Sequence, residues 1–195
     1  MMQKIKDKMF SICRILEQSR SMNAINASIV ALIPFIIVSS FITVIVQFPI
    51  LELQNWAQTG IVGGVLQILG FINICMLDCL SLFFSMEIGI NYAKREYHND
   101  STKYILPCVT VSIYLLSVGV FTPDFSQEML GKSGLFCSIF ASLLGCKFYV
   151  GISDLMNRHT KNKRKYMDYA MAGALNSIIP STITIGFFTF MCAII

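Results

Sequence analysis

The chain has 195 residues, of which 55% are hydrophobic and only 13% charged, with a formal net charge of +4 and a mean hydropathy of +0.66. Soluble domains carry roughly 25% charged residues. The composition therefore argues against a water-soluble enzyme, a disordered tail and a nucleic-acid-binding module, and describes an integral membrane protein.

Within residues 1–20, Ile5, Met9, Ile12, Cys13 and Leu16 follow helical spacing while Lys4, Lys8, Arg14 and Glu17 lie elsewhere around the helix. This predicts a basic amphipathic helix on the inner leaflet, leading into the first span; the alternative is a plain polar leader. The first apolar stretch is too long for a secretory signal, and no small-residue cleavage site follows it. Residues 21–51 carry no charge. They predict a span at 24–48, since a crossing helix needs roughly 20 apolar residues and Pro34 is tolerable in a membrane helix.

The region 53–93 admits two readings: two helices broken at Asp78, or one span preceded by a shorter element. The positive-inside bias decides between them. With the N-terminus cytoplasmic, two crossings would put the loops at 94–103 and 153–168 outside, with most of the basic residues. One crossing at 72–93 puts both loops inside and leaves only Lys132 outside, with Lys147 in a span. Five spans are therefore expected, at 24–48, 72–93, 104–123, 133–153 and 170–195. Residues 57–71, with the apolar core Ile61–Phe71 and the glycines Gly60, Gly63, Gly64 and Gly70, are read as an interfacial or re-entrant element. The fold class is an all-α, polytopic membrane helix bundle.

An ionisable residue within a span is costly and is a functional candidate by default. Asp78 and Glu87 both fall in the second expected span. Nine steps of about 100° place them on opposite faces, so they do not form a paired carboxylate site; each is either a substrate or proton group or a structural hydrogen-bonding partner. Lys147 is read as snorkelling to the inner interface. The cluster Arg158, Lys161, Lys163, Arg164 and Lys165 is first an orientation signal. Cys75 and Cys79 share a helical face beside Asp78, but a metal site needs two more ligands, and His98 and His159 lie in charged loops. The cysteines are read as small hydrophobes, and no metal or cofactor is expected. No phosphate loop, His-Glu-x-x-His or Gly-x-Ser-x-Gly pattern is present.

Four stretches, in order, cover nearly the whole chain and carry a family likeness: RSMNAINASIVALIPFIIVSSFITVIVQFPI (20–50), INYAKREYHND (90–100), LGKSGLFCSIFASLLGCKFY (130–149) and AMAGALNSIIPSTITI (170–185). Together they resemble the N-terminal half of the membrane-embedded IIC component of the bacterial sugar phosphotransferase system, in its lactose/cellobiose (diacetylchitobiose) branch. The chain departs from that pattern at Asn26-Ala27, where the family has Arg-Asp. It departs again at Asp168-Tyr169 (Pro-Pro), Gly173 (Arg) and Lys147 (Glu).

The resemblance implies a multi-pass protein of the bacterial cell membrane, contributing scaffold and dimer contacts. Partners would be membrane lipid, a second copy or a separate membrane half, and a cytoplasmic IIB component that phosphorylates a disaccharide. The family binds sugar mainly through residues of its C-terminal half, so no sugar-binding residue carries over. The departures leave a second expectation open, a small non-transporting membrane protein (sensor, immunity or receptor type) on a repurposed transporter scaffold.

Overall fold

The computed structural model describes residues 19–46, 60–96, 100–120, 122–123, 125–160 and 169–194. The expected amphipathic helix at 1–20 lies almost wholly outside the described residues, as does the basic run at 161–168. Six helices follow one another: α1 (Arg20–Val46), α2 (Gly60–Asp78), α3 (Leu80–Glu96), α4 (Asp100–Val118), α5 (Leu135–Thr160) and α6 (Tyr169–Ile194). Two 3-10 turns, Gln127–Leu130 and Lys132–Gly134, lie between α4 and α5. The described residues contain no strand, and the fold is all-α.

α1 and the stretch Lys132–Met156 are each long and apolar enough to cross a membrane. Gly63–Asp78 and Leu80–Lys94 reach that standard as a pair bent by 51°, and Lys103–Val118 and Ser177–Ala193 are shorter apolar helices. The chain is an integral membrane helix bundle.

α3 is the hub, packing on α1, α4 and α5, while α4 also packs on α5 and α6 and α1 rests on α3 and α2. The main core joins Tyr92, Ala93, Leu106, Val109, Ile113, Tyr114, Ala141, Cys146 and Tyr149. A smaller cluster, Leu32, Phe84 and Ile88, fastens α1 to α3, where Phe35 and Phe83 meet at 5.5 Å between ring centres. On the far side, Phe148 stacks on Phe187 at 4.6 Å and joins α5 to α6.

The structure differs from the sequence expectation in the region 57–93. The helix does not divide near Phe71–Ile72; α2 runs unbroken for 19 residues, about 28 Å at 1.5 Å per residue. Its glycines do not interrupt it. The break falls at Cys79, whose carbonyl accepts from both Leu82 N and Phe83 N at 3.1 Å to start α3. A tertiary contact fixes the break there: the loop carrying the 3-10 turns packs against it, so closely that a Cβ on Gly131 would lie 3.3 Å from the Leu77 carbonyl and 3.4 Å from Asp78 Cα. Asp78 and Glu87 thus sit on two helices, α2 and α3, and the opposite-face argument for a single continuous helix does not apply.

The end of α4 also differs, at Val118 instead of residue 123. Gly119 adopts φ +70°, with Val120 N bonded to Leu115 O (3.3 Å) and Gly119 N to Leu116 O (3.1 Å). This is the Schellman closure, for which glycine is the favoured residue. α5 continues past residue 153 to Thr160.

Candidate functional site

Among the described residues, three groups of polar side chains lie between elements of the bundle. At the first, Asn91 on α3 donates through Nδ2 to Ser28 Oγ on α1 at 3.1 Å and to Glu87 Oε2 at 3.2 Å. Ser28 passes its own proton to the Ala24 carbonyl at 2.8 Å. Glu87 is half-buried and reaches the α1–α3 seam through Asn91, one helical turn on. Its carboxylate is an acceptor at the edge of an interhelical tie.

At the second, Asn73 of α2 donates to Thr43 Oγ1 at 2.9 Å and accepts from Ser39 Oγ, while Thr43 Oγ1 donates to the Ser39 carbonyl at 2.8 Å. One amide thereby satisfies two hydroxyls on α1. Such polar contacts hold membrane helices together where no hydrophobic driving force distinguishes helix from lipid.

The third lies beside the α2–α3 break. Tyr114 of α4, fully buried, donates its hydroxyl to the Met129 carbonyl at 2.5 Å. Ser81, also fully buried, contacts the Tyr114 hydroxyl and the Leu130 carbonyl. Gly134 is required here: a Cβ would fall 1.7 Å from Met129 O and 2.5 Å from Tyr114 Oη. Lower in the same seam, Thr110 Oγ1 lies 3.0 Å from the Ser85 carbonyl and 2.8 Å from that of Pro107. There Gly89 lets α3 approach Pro107, whose Cα would stand 2.7 Å from an added Cβ.

Asp78, half-buried at the end of α2, is not brought to Glu87: among the described residues no hydrogen bond or shared partner joins them. No group of three or more His, Cys, Asp or Glu able to hold a metal ion occurs among the described residues. Lys147 stands exposed on α5, 12 residues from the start of that helix and 13 from its end. A charge near the middle of a crossing helix costs about 2.5–3.5 kcal/mol on insertion scales.

Two grooves among the described residues are apolar. A groove of about 290 Å³ runs between α1, α3 and α5, lined by Ile29, Leu32, Ile36, Leu80, Phe84, Leu135, Phe136 and Ile139. A second, about 330 Å³, lies along α1 at Ile36, Ile37, Ser40, Phe41 and Val44. Neither gathers the convergent polar groups by which a polar ligand is oriented.

The ties at Asn73 and Asn91 and the Ser81–Tyr114 contact escape a search of the sequence for ionisable residues within spans. An amide inside an apolar run is a readable sign of an interhelical bond, and both Asn73 and Asn91 carry it. Ser81 and Gly134 give no such signal, because their roles depend on a loop some 50 residues downstream and on one immediately upstream, respectively.

The fold has a solved counterpart. The chain is similar to the crystal structure of ChbC, the IIC component transporter of an N,N'-diacetylchitobiose-specific phosphotransferase system, with a TM-score of 0.77 at 13% identity. The alignment covers 96% of this chain and 45% of that one, so the chain spans less than half the length of that transporter. No protein-family model matches the sequence, and no curated protein matches it either. The likeness shows a shared fold.

Proposed function

From a chain that folds as part of a phosphotransferase transporter does, we propose that it serves as a IIC-type scaffold half of a sugar permease, in a bacterial cell membrane. In this reading it forms homodimers or pairs with a separate membrane half. A disaccharide is bound and moved only by the complete assembly, and a cytoplasmic IIB partner phosphorylates it. The bent pair α2–α3 counts as one crossing, which keeps the N-terminus and the loop around Lys163 cytoplasmic. Asp78 marks the helix break, and Glu87 is an interhelical acceptor. The chain itself does no chemistry.

The observation that carries the reading is the match of nearly the whole chain to under half of one transporter subunit. The described interior supports it, since the Asn73 and Asn91 amides close on hydroxyls of α1 and the groove between α1, α3 and α5 is lined with aliphatic and aromatic side chains. A saccharide site needs the opposite, several unspent donors and acceptors facing one space.

The test is native mass spectrometry of the chain released from nanodiscs, alone and with cellobiose or N,N'-diacetylchitobiose. Dimers without retained sugar are expected. A strictly monomeric chain, or one that holds a disaccharide by itself, contradicts the proposal.

A further inference from the structure

One helix face carries a charge that neither the bundle nor lipid accounts for. Phe136, Phe140, Leu144, Lys147, Gly151 and Leu155 recur at three- and four-residue steps, so they run down one side of α5. All six are exposed; Phe136 and Leu155 are 76% and 68% accessible. The other side of α5 is inside the bundle, with Ser138, Ala141, Ser142, Cys146 and Tyr149 buried. Gly151 adds room for close approach, as a Cβ there meets nothing within 4 Å. A continuous apolar face with a small residue in it is what either lipid or another membrane helix would accept.

Lys147 separates the two. The crossing stretch Lys132–Met156 has its midpoint near residue 144, which puts Lys147 about 4.5 Å from the middle of the bilayer at 1.5 Å per residue. With a hydrocarbon core of about 30 Å, the nearer interface is then about 10 Å away, toward Met156. A lysine stem of four methylenes extends on the order of 6 Å. Its Cα–Cβ bond also points toward the helix N-terminus, away from that interface. Snorkelling, the reading made from sequence, falls short. The ammonium makes no ion pair or hydrogen bond among the described residues.

We infer that this face of α5 docks a transmembrane helix of another protein that carries an Asp or Glu near the bilayer midplane, paired with Lys147. A cation held in hydrocarbon is stabilised most by a carboxylate at the same depth. A second copy of the chain is a poor occupant. A two-fold axis along the membrane normal would set Lys147 against its own counterpart, like charge on like, while Asp154 lies seven residues, about 10.5 Å, along the helix. A lipid phosphate is also a poor occupant, because it sits at the interface that Lys147 does not reach. The inference does not depend on the chain serving a sugar transporter.

The test places a photo-reactive phenylalanine analogue at Leu144 of the full chain in membranes of the source cell, with Phe41 on α1 as a control position. The expected product at Leu144 joins the chain to a different protein, through an apolar peptide containing Asp or Glu. Lys147→Glu lowers its yield roughly tenfold or more and leaves the Phe41 products unchanged, while Lys147→Arg preserves it. Helical content and thermal midpoint in detergent report on folding. Should Lys147→Glu fail to fold, Lys147→Leu, an apolar replacement on an exposed face, gives the same loss of product. Adducts to phospholipid only, an adduct between two copies, a cross-linked peptide without a carboxylate, or a yield that ignores these substitutions each overturn the inference.

Discussion

The contact region of α3, α4 and the 3-10 turns differs from α1 in how tightly it is built. In the first, backbone meets backbone: Gly89 lies against Pro107, Gly134 against the Met129 carbonyl, and buried Tyr114 and Ser81 close on loop carbonyls. In the second, a 27-residue helix buries only Ala24, Ser28, Leu32, Ser39 and Ile42 and leaves Val30, Phe41 and Val44 at 60% exposure or more. It is held by two side-chain amides and a small apolar cluster. The same chain therefore contains a part with no spare volume and a part whose large apolar surface is filled by lipid or by partners.

Four substitutions sharpen this contrast, each read by thermal or denaturant unfolding in one detergent. Gly134→Ala has the largest effect, because a methyl cannot coexist with the Met129 carbonyl 1.7 Å away; a loss of about 3 kcal/mol is expected, at the upper end for overpacking. Tyr114→Phe follows, with a loss of about 1–3 kcal/mol, since it removes the donor to the Met129 carbonyl and leaves buried Ser81 with one partner fewer. Asn91→Ala costs less, about 0.6 kcal/mol and at most about 1.7, because it cuts a tie to the loosely held α1. Gly70→Ala, where an added Cβ meets nothing within 4 Å, stabilises by about 0.4–1 kcal/mol through the unfolded chain. If Gly70→Ala were as harmful as Gly134→Ala, the contrast between tight and open regions would be wrong.

How much was legible in the sequence follows the same division. The apolar runs at 24–48 and 170–195 stand close to α1 and α6, since burial in lipid needs only a long uncharged stretch. The stop of α4 is set by Gly119, a glycine in the left-handed region, whereas Phe121 and the apolar residues before it extend the span expected from hydropathy. Charge counting favours one crossing over two helices broken at Asp78, but it reports on loops and says nothing of where a helix bends. The location of the α2–α3 break depends on Gly131 and Leu130 arriving from a distant loop, a pairing that no local pattern encodes. Asp78 and Glu87 stand out because charges in lipid are rare; the structure places each one and brings neither to the other. Asn73 and Asn91, uncharged, do not stand out in that way, yet they bond α1 to α2 and α3.

The orientation of the whole bundle depends on whether α2 and α3 together cross the membrane once. Reporter fusions at Lys163 and near Asp124 measure this directly, using one reporter active only inside the cell and one active only outside. The single-crossing account predicts inside activity at Lys163 and outside activity near Asp124. Outside activity at Lys163 would mean that α2 and α3 cross separately, and would contradict the orientation on which the IIC-type reading relies.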